Sequence, residues 1–115
     1  MKFELETLGK FKVIHLIGNL DSDAKRLSID KAIIEQIDKG HHDIVFNLER
    51  TTYLDSMGIS VFVNCLCEVQ SKKGSVFLIA EDQQVLSILE MVGIVRLIKT
   101  YKSQAEFIKE QKIKK

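Results

Sequence analysis

The run Asp43-Ile44-Val45-Phe46-Asn47-Leu48-Glu49 is apolar at consecutive positions through its centre instead of at alternate ones. A strand buried on one face alternates, whereas a continuously apolar strand is covered on both faces and belongs inside a sheet with parallel neighbours. A second such run, Ser75-Val76-Phe77-Leu78-Ile79-Ala80, follows a helical pattern that extends from Ser56 to about Lys73 and is closed by Gly74. Strand, helix and strand joined by short connections require a right-handed crossover, and this unit commits the chain to an α/β architecture with a mostly parallel sheet.

The flanking sequence completes that sheet. Phe3–Leu8 and Phe11–Ile17 are β-like runs separated by Gly9-Lys10, a two-residue hairpin connection, so the chain opens with an antiparallel strand pair. Gly18-Asn19-Leu20-Asp21-Ser22-Asp23 has turn composition and N-cap residues, which predicts a helix from residue 23 or 24 to Gly40, with Leu27, Ile33, Ile34 and Ile37 as its apolar stripe. A third helix with Val85, Leu89 and Val92 on one side ends at Gly93. A strand over Ile94–Ile98 and a last helix capped by Ser103 and Glu106 follow. The 115 residues make one domain, 1–115, with its core over about 3–110 and 111–115 as a frayed basic tail.

Charge and composition exclude several classes. A formal charge of +1 with 29% charged residues of mixed sign gives no basic field for nucleic acid. The apolar runs are too short for a membrane span and the acidic start lacks a secretory pattern, so no membrane insertion and a cytoplasmic location are expected. Cys65 and Cys67 are two apart in a helix and point in different directions, so they do not bridge. His41-His42-Asp43 lacks a third metal ligand, since His15 lies in another strand; no metal is expected. No glycine-rich phosphate loop occurs and no cofactor is expected. No histidine lies where it could serve Ser56 as a base, so the chain is not expected to be an enzyme and has no catalytic residues.

The chemistry concentrates in Thr52-Tyr53-Leu54-Asp55-Ser56-Met57-Gly58-Ile59-Ser60. Ser56 stands at a predicted helix start, where unsatisfied amides and the positive end of the helix dipole favour an anion. A phosphoryl group there adds about −1.5 to −2 charges without demanding that the domain unfold, while transforming the surface a partner meets. Projected on a helix, Ile59, Phe62, Leu66 and Val69 form an inward stripe. Met57, Ser60, Val61, Asn64, Cys67 and Ser71 form an outer arc without lysine or glutamate, which suits protein docking better than free solvation.

These residues also carry a family resemblance. Val45-Phe46-Asn47-Leu48-Glu49 followed by Tyr53-Leu54-Asp55-Ser56-Met57-Gly58-Ile59 resembles the strand and Asp-Ser-x-Gly signature of the STAS domain, in particular of stand-alone bacterial anti-sigma factor antagonists. Gly18-Asn19-Leu20-Asp21 resembles the turn before that family's first helix, and Met91-Val92-Gly93-Ile94 its ending of the third. The resemblance spans residues 11 to 108 and implies a STAS-like α/β domain with an N-terminal antiparallel pair and about four helices.

It further implies phosphorylation of Ser56 by a partner that is both anti-sigma factor and serine kinase, of the histidine-kinase-like ATPase fold, with reversal by a serine phosphatase. The unmodified form would bind the kinase and release its sigma factor. Asp21, Asp55, Met57, Gly58, Ser60, Val61, Asn64 and Cys67 would carry partner binding. The alternative is a STAS partner switch or transport-complex subunit acting on secretion, biofilm or lipid transport. Asn19 and Met57 depart from the family pattern and bear on which partner is recognised. A monomer or weak dimer is expected.

Overall fold

The computed structural model describes residues 2–20, 23–54 and 56–112. Strands β1 (Lys2–Leu8), β2 (Phe11–Leu20), β3 (Asp43–Asn47), β4 (Thr51–Leu54), β5 (Ser75–Ile79) and β6 (Lys99–Tyr101) alternate with helices α1 (Asp23–Asp38), α2 (Ser56–Gln70), α3 (Gln83–Met91) and α4 (Gln104–Gln111). The hairpin expectation holds, with β1 antiparallel to β2 through pairs from Lys2–Ile17 to Leu8–Phe11. The remaining pairings are parallel, giving a sheet in the order β1-β2-β3-β5-β6 with β4 alongside β2.

The continuous apolar strand is central and covered on both sides. Ile44, Phe46 and Leu48 face a cluster that includes Ile29, Ile33 and Ile37 of α1, Phe62 and Val69 of α2, and Val85 and Leu89 of α3. The Phe46 and Phe62 rings meet at 4.8 Å. On the other side Val45 joins Phe11, Val13, Ile79, Tyr101 and Phe107, where α4 closes the sheet. Phe107 packs edge-on against Phe11 at 5.0 Å and Tyr101 at 5.2 Å. Such T-shaped pairs add to area burial because positive ring edges meet negative faces.

Several local expectations are corrected. The α1 stripe is Ile29, Ile33 and Ile37, spaced by four; Leu27 and Ile34 lie outside it and are exposed. Gly18-Asn19-Leu20 is not a turn but the end of β2, and Thr51–Leu54, for which no strand is predicted, is strand β4 paired with it. Ile94–Ile98 is not a strand. Ile94–Arg96 forms a 3-10 turn in which Ile94 O accepts from both Leu97 N and Ile98 N at 2.9 Å, and the strand comes after it as β6. Burial there falls on Ile94 and Ile98, a spacing of four, while Val95 and Leu97 are exposed. The β-branched run yields to the need to turn the chain after Gly93, whose φ of 79° needs glycine's freedom. Val92 likewise lies outside the buried side of α3.

The cap expected at Ser103 is present, and the structure adds one at Asp82. The Ser103 hydroxyl accepts from Glu106 N at 3.1 Å to start α4. Asp82 Oδ1 does the same for α3, accepting from Gln84 N at 2.9 Å and Val85 N at 3.1 Å.

Gly74 has a steric reason to be glycine. A Cβ there would sit 1.9 Å from the backbone oxygen of His42, and the adjacent Ser75 N already donates to that oxygen at 3.0 Å. Gly74→Ala is therefore expected to cost more than about 2 kcal/mol, because backbone must move in both segments; urea denaturation of the two proteins measures it. Asn47 is 2% exposed and holds the β3–β4 turn. Its Oδ1 accepts from Glu49 N at 2.9 Å while Nδ2 donates to Glu49 Oε1 at 2.8 Å and Gln104 Oε1 at 2.7 Å. Asn47→Ala is expected to destabilise by about 1–3 kcal/mol, read from the same curves.

Candidate functional site

Three hydrogen-bonded supports deliver the chain to Ser56. β2 bends at Gly18, φ 94°, where its register toward β4 shifts, and Gly18 N donates to Arg50 O at 3.0 Å. The buried Thr51 hydroxyl donates to Leu16 O at 2.7 Å, stitching the first residue of β4 into β2. Thr52 Oγ1 donates to Asn19 Oδ1 one step further on. β4 ends at Leu54, 1% exposed, and α2 begins at Ser56.

The strand ends place that helix start at the carboxyl edge of the parallel strands, where open α/β sheets expose their ligand- and partner-facing loops. The backbone of Ser56 is the first residue of α2, as the sequence predicts. Asp21 and Asp55 lie outside the described residues, as do the side chains of Ser56 and Met57.

Helix α2 carries one charged residue, Glu68, in fifteen. Asn64 and Cys67 are exposed, as expected, and Ser60 is half-buried. Gly58 is buried in the first turn against the body of the domain. Val61 overturns its assignment to the docking arc. It is fully buried, and Cys65 is buried as well, so the inward face adds Gly58, Val61 and Cys65 to the expected Ile59, Phe62 and Val69, while Leu66 is only half-buried. The buried face is wider than the predicted stripe and turned away from Leu66, because a helix rich in apolar residues offers several equally apolar stripes and only the packed neighbours choose among them.

Two recesses lie near this region, one beside the later turns of α2 and one beside β4. A groove of about 270 Å³ between α1 and α2 is lined by Asp30, Ile33, Ile34, Asn64, Cys65, Cys67 and Glu68. It begins about 12 Å along α2 from Ser56, eight residues at the helical rise. A recess of about 370 Å³ lies between β4 and α3, bounded by Thr52, Tyr53, Gln84, Val85, Ser87 and Ile88. Tyr53, 46% exposed on a strand two residues before Asp55, was the available signal for it.

The remaining candidates are accounted for. His15 Nε2 lies 2.8 Å from Glu6 Oε1, which also accepts from Gln104 Nε2 at 3.1 Å, so this histidine belongs to a polar network joining β1, β2 and α4. Among the described residues no cluster of histidine, cysteine and acidic side chains could hold a metal ion. No helix of the described residues is long and apolar enough to cross a membrane. Cys65 and Cys67 are both free, one buried and one exposed. Burial, followed by the Asp30 and Glu68 carboxylates, pushes the Cys65 thiol up to about 12.

Comparison with known proteins places this geometry in context. The STAS domain family model matches residues 2–107. The anti-sigma-B factor antagonist of Staphylococcus aureus is 24% identical over 98 residues, covering 85% of this chain and 90% of that protein. Among solved structures, an anti-sigma factor antagonist from Mycobacterium paratuberculosis aligns with a TM-score of 0.84 at 14% identity, over 95% of this chain and 92% of that one. The phosphorylated form of the Bacillus cell fate determinant SpoIIAA aligns with a TM-score of 0.74 at 23% identity, over 95% and 98%. The unphosphorylated anti-sigma factor antagonist SpoIIAA gives 0.74 at 22%, over 96% of each chain. The architecture expected from the sequence is therefore the one these proteins share. The matched relatives are named for regulating other proteins, in agreement with the expectation that this chain is not an enzyme.

The thiols give a direct check on α2. A colourimetric disulfide reagent is expected to label one cysteine, Cys67, in the native protein and the second only after unfolding. Because the folded state holds Cys65 neutral, its contribution to stability is complete below the ordinary value of 9.0 and is lost as pH rises from there toward about 12. Denaturation midpoints measured above pH 9.0 should fall more steeply for the parent than for Cys65→Ala.

Proposed function

Because the chain belongs to the STAS domain family, within which its matched relatives are anti-sigma factor antagonists, we propose that Ser56 is a phosphorylation switch. In the unmodified state the chain binds an anti-sigma factor that is also a serine kinase of the histidine-kinase-like ATPase fold, and so frees a sigma factor. Phosphorylation of Ser56 releases that partner, and a serine phosphatase resets the switch. The chain works in the cytoplasm, where such partners reside.

The observation that carries this reading is the position of Ser56 as the first residue of a long helix at the carboxyl edge of the sheet. First-turn amides have no acceptor within their own helix, and the dipole adds positive potential at that end. A phosphate placed there is stabilised by backbone already in position, so modification changes the surface and not the fold. Both the phosphorylated and the unphosphorylated SpoIIAA structures align with this chain over at least 95% of its length, so the fold is compatible with either state.

The residues assigned to partner binding are Asp21, Asp55 and Met57 together with Ser60, Asn64 and Cys67 along α2; Gly58, buried in the first turn, serves close packing. The single charge in fifteen residues of that helix supports docking there, since a freely solvated face would carry lysine and glutamate. Val61, being fully buried, has no part in it.

The test mixes the protein with its candidate kinase and ATP and locates added phosphate by mass spectrometry. Phosphate is expected on Ser56 and absent from Ser56→Ala; equal phosphorylation of both would exclude the assignment. Ser56→Asp should weaken kinase binding by about tenfold or more while shifting Tm by only a few degrees, since the charge sits at a favourable helix end. A large fall in Tm would instead mark Ser56 as a core residue.

A further inference from the structure

Four of the eight large hydrophobic side chains that are exposed among the described residues fall within one stretch of seven: Met91, Val92, Val95 and Leu97. Met91 is 84% exposed and Leu97 64%. Scattered single exposures need no explanation, but a local concentration marks a surface that something covers. The stretch is well anchored: Ile94 and Ile98 are buried, and Gly93, Arg96 and Leu97 donate backbone hydrogen bonds to Glu90, Gly93 and Ile94 at 3.1, 3.1 and 2.9 Å. The protruding side chains are thus presented by a fixed turn.

Topology puts this corner at the far end of the domain from Ser56. α3 leaves the carboxyl edge after β5 and returns to the start of β6, which is parallel to β5. The corner therefore lies at the amino edge of the strands, and a partner can occupy it while the Ser56 end is engaged.

We propose that the corner is a self-association surface that seats a second copy of this chain across a two-fold axis. The charges around it select that occupant. Glu90, next to Met91 on α3, and Arg96, between Val95 and Leu97 on the turn, are both exposed, so the surface carries one acid and one base among its apolar side chains. In the proposed dimer a two-fold axis brings Glu90 of each copy to Arg96 of its mate, giving two complementary pairs from one self-complementary patch.

An anionic lipid surface fits less well. Glu90 would be repelled, the Lys99 ammonium is already bonded to the Glu110 carboxylate, and Lys102 follows the far end of β6 at the opposite edge. Four apolar side chains with two charges among them are far fewer than the roughly 20 residues a side of a standard interface, so the dimer is of the weak class with a micromolar or weaker Kd.

Sedimentation velocity of the full chain over a concentration range of about 100-fold tests this, with a monomer-to-dimer shift expected. Leu97→Asp and Met91→Asp should each weaken association by about tenfold or more. Glu90→Arg and Arg96→Glu should each be monomeric because each places like charges together twice. Mixed in equal amounts they should associate again, since both contacts of the mixed dimer are then complementary, and E90R/R96E in one chain should also recover association. All four residues are exposed, and circular dichroism checks that the variants stay folded.

A parent that remains monomeric throughout, a dimer indifferent to Leu97→Asp, or a mixture that fails to recover would each overturn the proposal. So would sedimentation with phosphatidylserine vesicles that Leu97→Asp abolishes, which would give the corner to a membrane.

Discussion

The structure depends on β2 serving two parallel partners in succession. Its first part pairs with β3 from Lys12–Ile44 to His15–Asn47, and its last part pairs with β4 from Gly18–Thr51 to Leu20–Leu54. The handover needs a bend with a positive φ, which Gly18 supplies, and it needs the departing chain returned to the same strand, which the Gly18 N to Arg50 O and Thr51 Oγ1 to Leu16 O bonds secure. Thr51 and Leu16 are buried, so their polar groups would otherwise lack a partner and desolvation enforces that contact as much as attraction does. The start of α2 inherits its place from this handover.

Burial and polarity divide the work around that point. The inner face of α2 is locked by Phe62 against Phe46 and by Val61, Cys65 and Val69 in the same cluster. Its outer face carries almost no charge. Asn47, bonded to both Glu49 and Gln104, ties the turn that launches β4 to the first turn of α4 on the opposite side of the sheet. The loop that presents Ser56 thus rests on packing below and on a polar network behind it. A rigid mount of this kind allows a charge added at the helix start to be felt by a partner and not absorbed by the domain.

The same topology separates surfaces. Elements that start at the carboxyl ends of β4 and β5 gather the serine and the Tyr53 recess at one edge, while the return from α3 to β6 leaves Met91, Val95 and Leu97 at the other. The two are separated along α3, whose first turns line the recess and whose last residue is Met91.

By itself the sequence determined the class of fold, the antiparallel opening, the four helices, the cap at Ser103 and the candidate serine. These features rest on local rules: continuous burial of Ile44–Phe46, helix periodicity, glycine stops and hydroxyl caps act within a few residues of where they are read. What it misjudged are choices made by distant neighbours. Gly18–Leu20 has turn composition, yet it becomes strand because Thr51–Leu54 is brought beside it. Ile94–Ile98 has strand composition, yet it becomes a turn because α3 must pack and then reverse into β6. Val61 could face either way on a helix apolar nearly all round, and the sheet beneath decided it. Side-chain type sets what a segment can be, and only tertiary packing selects among the forms it permits.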